Sequence, residues 1–227
     1  MDNSVELIDW YGNDTTHALS AWTSTNRDLT DEKVERIPNL LKMLAQNGHE
    51  TPFEKSALHF LVTCDQASHI HLLKHRIGVS INAESARYKE LKEDKFYIPE
   101  DWNDITSDEA YVNTTDDEGN LKAITHWTGI LTQANEAMND FYHQCLEDLT
   151  PILGRKRAKE SARFFKLMNS QITMDVMFNF RSFVHFQRLR NHHDAQKEIA
   201  DIADKMLELV ENIEGKPFEY TLKAFKL

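Results

Sequence analysis

The stretch ITMDVMFNFRSFVHFQRLR, residues 172–190, decides the fold. Its first seven residues alternate between apolar side chains on one face and mixed side chains on the other. The residues of the apolar face are Ile172, Met174, Val176 and Phe178. A period of two is typical of a half-buried β-strand, and the residues from Asn179 onward predict a short helix. The order of strand and helix therefore indicates a sheet covered by helices.

The flanking sequence extends this pattern in both directions. Residues 194–214 predict a long amphipathic helix, ended by Gly215 and Pro217. Its apolar stripe is Ile199, Ile202, Met206, Val210 and Ile213. Further strands are predicted at 5–11 and 56–64. Further helices are predicted from about Thr15 and at 31–47, 66–76, 122–149 and 155–168; the helix at 31–47 is expected to restart near Pro38 and the helix at 122–149 to be ended by Pro151. Residues 87–98 are predicted to be extended, and residues 101–120 to form a polar surface excursion. The sequence thus predicts one α+β domain over residues 1–227.

Composition excludes several classes of protein. Among 227 residues, 26 Lys and Arg face 37 Asp and Glu, and a net charge of −11 argues against nucleic-acid binding. Two cysteines exclude a disulfide scaffold and a four-cysteine zinc site. The sequence shows neither a signal peptide nor the ~20 apolar residues of a membrane span. We therefore expect a cytoplasmic protein that binds neither nucleic acid nor membranes.

The glycines exclude two common nucleotide-binding motifs. There are seven, and the closest pair, Gly119 and Gly129, is ten residues apart. Neither GxGxxG nor GxxxxGK[ST] can be written with that spacing. Any nucleotide must therefore be held by side chains and helix ends.

Three polar islands stand out against the acidic background: HETPFE at 49–54, KHRIGVSINAESARY at 74–88, and a late arginine series. The arginine series is Arg163, Arg181 and Arg190, with Asn179 and His185 near the last two. Guanidinium groups, hydroxyls and an amide suit phosphate and pyrimidine recognition. Each island also has a structural interpretation: a Pro-containing turn, a capped helix end, and buried salt bridges.

The histidines offer a competing interpretation. His71 and His75 are four residues apart on a predicted helix, with His69 nearby, and metal ligation can use that spacing. Lys74 and Arg76 would repel a cation there. We therefore expect no metal site, and we interpret His192-His193 as a solvated turn.

Together the islands resemble the flavin-dependent thymidylate synthase (ThyX) family. The segments that carry the resemblance are VELIDWYGND (5–14), HETPFE (49–54), KHR followed by a serine (74–76 and Ser85), SINAESARY (80–88) and NFRSFVHFQRLRNHHDAQKEI (179–199). The resemblance implies a single domain with a central, mostly antiparallel sheet packed with helices, assembled as a homotetramer with interfacial active sites. It also implies conversion of dUMP to dTMP, with FAD as cofactor, 5,10-methylenetetrahydrofolate as carbon donor and NADPH as reductant.

The resemblance also implies roles for individual residues. Implied FAD contacts are Ser24, Lys74, His75, Arg76, Glu84, Asn179, Arg181 and His185. Implied dUMP contacts are His71, Ser85, Arg87, Arg163 and Arg190, with Glu160 close by. Lys55 would lie on the side of the folate and the nicotinamide. The chain departs from the family pattern at Lys55, His71, Lys74, Ala83 and His185, and it has one extra residue before Ser85.

Methylation at uracil C5 needs a carbon with carbanion character. Cys64 lies in a predicted strand and Cys145 in a predicted helix, so a cysteine nucleophile is not expected. Arg190 would instead polarise the uracil ring, with Ser85 positioning the substrate. The departures leave two alternatives open: a flavin- and folate-dependent hydroxymethylase or dCMP-directed enzyme, and a non-catalytic flavin- or nucleotide-binding protein.

Overall fold

The computed structural model describes residues 2–91, 94–107, 112–115, 118–119 and 121–227. The chain forms two compact units, each discontinuous in sequence. The sheet unit consists of Asn3–Thr63, Ser68–Ala83 and Thr173–Leu227. The helical unit is built mainly from Cys64–Ala67 and Glu84–Ile172. The expectation of one domain over 1–227 stays a prediction.

A four-stranded sheet has the order β1-β2-β6-β3. Its strands are β1 (Ser4–Tyr11), β2 (Ala57–Asp65), β3 (Val79–Ala83) and β6 (Gln171–Asn179). The pairs β1–β2 and β3–β6 are antiparallel, and β3 runs from Val79 opposite Phe178 to Ala83 opposite Met174. A separate antiparallel hairpin joins β4 (Val112–Thr115) and β5 (Leu121–Ile124). The antiparallel α+β prediction is confirmed.

Eight α-helices lie within the described residues. They are α1 (Asp14–Trp22), α2 (Asp31–Gln46), α3 (Gln66–Leu72), α4 (Trp127–Leu153), α5 (Arg155–Ala162), α6 (Phe180–Arg190), α7 (Lys197–Glu211) and α8 (Glu219–Phe225). None of the described helices is long and apolar enough to span a bilayer. The predicted strands at 5–11, 56–64 and 172–178 and the helix after Asn179 are confirmed.

Both prolines that were expected to interrupt helices lie inside them. Pro38 is within α2, whose buried face of Ile37, Leu41 and Leu44 continues past it. Pro151 is within the last turn of α4, which ends instead at Gly154, where φ is +77°. The restart at Pro38 and the end at Pro151 are therefore wrong. At Pro38, packing of a continuous apolar face outweighs one missing backbone hydrogen bond, whereas after Pro151 α4 continues only to the exposed Leu153.

Other boundaries also differ from the predictions. The helix predicted over 66–76 ends at Leu72, because the His75 N–H donates to the Leu72 carbonyl and closes a tight turn. Residues 87–88 lie in a turn closed on the Ser85 carbonyl, not in an extended segment. The helix predicted over 155–168 ends at Ala162, and the one predicted from 122 begins at Trp127. Strand β3 and helix α8 were not predicted.

The core of the sheet unit is aromatic. Phe60 of β2 and Phe178 of β6 pack with Phe183 of α6, with ring centroids 6.0–6.3 Å apart. All three side chains are fully buried. This packing fixes α6 against the sheet, which matters because α6 carries the predicted site arginines.

Candidate active site

The loop between α3 and β3, residues 73–78, is hydrogen-bonded to the start of α6. Gly78 adopts φ +65°, and a Cβ there would lie 2.2 Å from Asn179 Nδ2. The Gly78 carbonyl accepts from the Asn179 N–H (2.9 Å), and Ser182 Oγ donates to the Ile77 carbonyl (2.6 Å). Asn179 Oδ1 accepts from the Ser182 N–H (2.8 Å) as the N-cap of α6. Asn179, a predicted flavin contact, thus already caps a helix.

This loop brings His75 to Arg190 at the far end of α6. Arg190 Nε donates to His75 Nε2 over 3.1 Å. The His75 ring also packs against His185 and Phe186, at 5.8 and 5.1 Å between centroids. Two predicted flavin contacts and the predicted catalytic arginine therefore meet in one cluster of the sheet unit.

His75 is held neutral in this cluster. Burial, followed by the nearby charges of Arg190, His185 and His71, lowers the pKa of His75 to about 4. Because its Nε2 accepts a hydrogen bond, the neutral ring carries its proton on Nδ1. The acceptor fixes one edge of the Arg190 guanidinium and leaves both Nη groups for a ligand.

Arg181 joins α6 to the HETPFE segment. Its Nε donates to Glu50 (2.9 Å) and its Nη1 to Glu54 (2.6 Å). The hydrogen bonds to Glu54 and Glu50 raise the pKa of the guanidinium. Sequence reasoning singled out HETPFE but gave these two carboxylates no role, and the structure supplies one.

Four predicted ligand residues of the sheet unit are exposed: Ser24, Lys55, Lys74 and Arg76. Ser24 Oγ donates to the Ala21 carbonyl (2.9 Å). The three cations form no ion pair with any residue that the structure describes. Unpaired positive charge on an acidic chain is available to an anionic ligand.

In the helical unit, the segment after β3 lies along α5. Lys159 donates to the Tyr88 carbonyl (2.8 Å) and Arg155 to Glu90 (3.0 Å). Of the predicted dUMP residues of this unit, Arg87 therefore directly precedes a residue bonded to α5, and Arg163 directly follows the last residue of that helix, Ala162.

The side chains of this segment have neighbours of their own. Arg87 donates to the Tyr88 hydroxyl (3.0 Å) with its guanidinium 5.2 Å from that ring. Glu84, a predicted flavin contact, accepts from Lys89 (2.7 Å). Ser85 Oγ accepts from the Arg87 N–H (3.4 Å). Arg163 is exposed, and Glu160 faces Arg157 at 3.5 Å.

The predicted dUMP contact His71 also has a hydrogen-bonding partner. His71 Nε2 lies 3.2 Å from Oε1 of Gln196, a residue that was quoted above only as part of a motif.

Within the part of the chain that the structure describes, one group offers three possible metal-ligand atoms within 4.8 Å of one another: the exposed His192, His193 and Asp194.

Both cysteines pack against apolar cores. Cys64 is fully buried in β2, and burial raises the pKa of its thiol. Cys145 lies in α4 within the helical unit, against the small core of Tyr142 and Leu146. A buried, protonated thiol does not attack a pyrimidine ring.

Comparison with known proteins places the chain among relatives. The family described as thymidylate synthase complementing protein matches residues 6–214. Flavin-dependent thymidylate synthases from Thermosipho africanus and Streptomyces avermitilis are 30% and 29% identical, covering 97% and 90% of this chain and 90% and 85% of theirs.

A solved structure is similar over nearly the whole chain. It is a UMP/dUMP methylase, PolB, from Streptomyces cacaoi bound with 5-Br dUMP, with 26% identity and a TM-score of 0.75 over 99% of this chain and 95% of that one. The same methylase bound with 5-Br UMP gives a TM-score of 0.73 at 25% identity. The match over residues 6–214 shows that this chain belongs to the thymidylate synthase complementing protein family, that of the flavin-dependent thymidylate synthases.

Proposed function

We propose that this protein methylates dUMP to dTMP reductively, with FAD as cofactor, 5,10-methylenetetrahydrofolate as carbon donor and NADPH as reductant. The observation that carries the proposal is the Arg190–His75 pair. The neutral, buried His75 ring accepts a hydrogen bond from Arg190 and so orients its guanidinium beside the loop of residues 73–78. The relatives named flavin-dependent thymidylate synthase support the same reaction.

The residues of the loop fit a flavin dinucleotide. Lys74 and Arg76 are exposed and form no ion pair with a described residue, which suits the two negative charges of a pyrophosphate. Beside them, the His75 ring packs against His185 of α6, with the ring centroids 5.8 Å apart. Reduced flavin supplies the electrons of the reaction. The other proposed flavin contacts are Ser24, Glu84, Asn179 and Arg181.

Arg190 is proposed to act on the substrate. Its Nη groups, free of the bond to His75, would donate to uracil oxygens and stabilise negative charge that develops on the ring. Ser85, Arg87, Arg163 and His71 would hold the nucleotide, and Ser85 serves for positioning. Neither cysteine attacks C6, because Cys64 is buried and protonated and Cys145 lies on α4.

An NADPH-dependent assay with dUMP and methylenetetrahydrofolate tests the proposal, with the product identified by mass. We expect dTMP, and we expect Arg190→Ala to lose most turnover while FAD stays bound. A variant with near-full turnover would refute the role of Arg190. A hydroxymethylated product, or reaction with dCMP alone, would establish one of the alternatives, and a protein that takes up no FAD is not this enzyme.

Methylation of UMP is a second candidate. It is favoured by the likeness to a methylase whose structures hold analogues of both UMP and dUMP. The same assay with UMP in place of dUMP decides between them, because the two substrates differ only in the 2′-hydroxyl. A higher kcat/KM for UMP would make the ribonucleotide the substrate.

We further propose a single-domain chain that assembles as a homotetramer with interfacial sites and works in the cytoplasm. The resemblance of the motif segments to the family supports this proposal. Light scattering of the FAD-loaded protein tests the assembly.

A further inference from the structure

The sheet unit has a polar groove in which only Lys55 has been given a ligand-binding role so far, on the side of the folate and the nicotinamide. Its volume is about 510 Å³, within the range of small-molecule sites. It is lined by Tyr11, Thr16, Ser20, Thr23, Arg27, Glu54, Lys55, Ser56 and Ala57. Hydroxyl groups dominate this lining, with two cations and one carboxylate among them. Such a lining suits a polar, charged ligand rather than an apolar one.

The electrostatic balance of the groove is positive. Glu54 and Glu50 share the single positive charge of Arg181, at 2.6 and 2.9 Å, so these three groups together carry one negative charge. Arg27 and Lys55 are exposed and form no ion pair with any residue that the structure describes. The two cations of the groove therefore outnumber the one net negative charge of that trio, and guanidinium and ammonium groups bind carboxylates and phosphates.

A buried relay fixes the floor of the groove. Thr221 Oγ1 donates to the Asp14 carboxylate (2.6 Å) and so accepts from His17 Nδ1 (2.8 Å). His17 Nε2 then carries no proton, so it accepts a hydrogen bond from Ser56 Oγ (2.8 Å). His17 and Thr221 are fully buried, and Ser56 is only 4% exposed. The hydroxyl of Ser56, next to Lys55, thus has one fixed orientation.

The relay looks like a nucleophile with its base, but its environment argues against that role. His17 is packed among the rings of Phe53, Phe180 and Phe218, at 5.2–5.9 Å between centroids. Burial there lowers the pKa of His17 to about 4, so the ring resists the proton that a general base must accept. Ser56 is therefore a rigid part of the groove, not an attacking group.

We propose that this groove binds the anionic end of a co-substrate, a carboxylate or phosphate group, through Arg27 and Lys55. The inference rests on the proposed function, which needs two polyanionic co-substrates besides the nucleotide. Both carry such an end: the glutamate carboxylates of the folate and the ribose 2′-phosphate of NADPH. The groove volume accommodates an end group of either kind, and two cations match a group with two negative charges.

The test uses the FAD-loaded full chain with Arg27→Ala and Lys55→Ala. Lys42→Ala, an exposed lysine on α2 outside the groove, is the matched control. KM is measured for mono- and polyglutamylated methylenetetrahydrofolate, for NADPH, for NADH and for dUMP. We expect each groove variant to raise KM for one co-substrate about tenfold, the loss of roughly one ion pair. Flavin content, the KM for dUMP and the melting temperature should match those of Lys42→Ala.

The source of the anion follows from the same data. Loss of the preference for polyglutamylated folate assigns the groove to the folate tail, and loss of the preference for NADPH over NADH assigns it to the 2′-phosphate. Unchanged KM values for both co-substrates overturn the proposal. It is also overturned if flavin content or dUMP binding falls instead, because the groove then serves the flavin or the nucleotide.

Calorimetry separates this inference from the proposed function. Each co-substrate is titrated into the parent protein and both groove variants without dUMP, so that no turnover is needed. A parent that binds folate or NADPH tenfold more tightly than the variants upholds the groove even if no dTMP is formed. A parent that binds neither, or that binds both as weakly as the variants, overturns it whatever the product assay shows.

Discussion

Replacing His75 with Phe isolates the hydrogen bond that orients Arg190. A phenyl ring keeps the packing against His185 and Phe186 but removes the Nε2 acceptor, which is 3.1 Å from Arg190 Nε. A hydrogen bond to a charged group contributes about 1.5–3 kcal/mol. Since Arg190 is half-buried and partly screened, we take the lower end.

The expected result is a fall of about tenfold in kcat/KM for dUMP, since about 1.4 kcal/mol corresponds to a factor of ten. Steady-state rates at saturating FAD, folate and NADPH measure it, and flavin absorbance after gel filtration reports bound cofactor. If His75 acts only as a flavin contact, bound FAD falls and excess FAD restores the rate.

The pH dependence gives an independent check. Because the pKa of His75 is about 4, the ring stays neutral above pH 5 and the acceptor persists across the working range. The parent profile of kcat/KM should show no ionisation of His75 near pH 6.5. Positioning of Arg190 by His75 is refuted if the Phe variant keeps full kcat/KM with normal flavin content, or if the parent loses rate through a histidine pKa near 6.5 that the variant lacks.

Three further predictions follow from buried or strained positions. Gly78→Ala should destabilise the fold by roughly 2–4 kcal/mol in urea unfolding, because its Cβ would overlap the side chain that caps α6, whereas Gly48→Ala, with φ +68° but nothing within 4 Å, should cost only about 1 kcal/mol. Burial lowers the pKa of His17 to about 4, so as the pH falls from 6.5 to 4 this residue takes up a proton more readily in the unfolded chain than in the folded one. The free energy of unfolding should therefore fall by about 3 kcal/mol over this range, and a His17→Gln variant should lose that part of the pH slope. The double variant Cys64→Ser, Cys145→Ser should keep its turnover, and a folded but inactive variant would restore the cysteine mechanism.

The sequence predicted the sheet and α6 well because their signal is local. Alternation of Met174, Val176 and Phe178, and of Leu58, Phe60 and Val62, reports burial on one face directly. A helix boundary was predicted poorly where a packed apolar face outweighed a local helix breaker, as at Pro38. Strand β3 was missed because VSINA alternates over only five residues, none of which is buried, and the strand depends on pairing with β6.

The candidate site shows the same limit at the level of single side chains. Motif resemblance proposed His75, Arg181 and Arg190, but it did not indicate that His75 bonds Arg190 or that Glu50 and Glu54 hold Arg181. Those partners lie 115, 131 and 127 residues apart along the chain, so only the fold brings them together. The relay through His17 had no signal in the sequence for the same reason.

The ion pairs of the site arginines decide which positive charges of this acidic protein can attract an anionic ligand. Arg181 is bound to two carboxylates, so its local charge is more than compensated, and its contribution is to fix the HETPFE segment against α6. Lys74 and Arg76 form no ion pair with a described residue and keep their full charge. The long-range attraction for a dinucleotide therefore comes from Lys74 and Arg76, in the loop of residues 73–78, rather than from Arg181. Arg181→Gln should accordingly destabilise the HETPFE segment more than it slows flavin association, whereas Lys74→Ala should slow association and leave the fold intact.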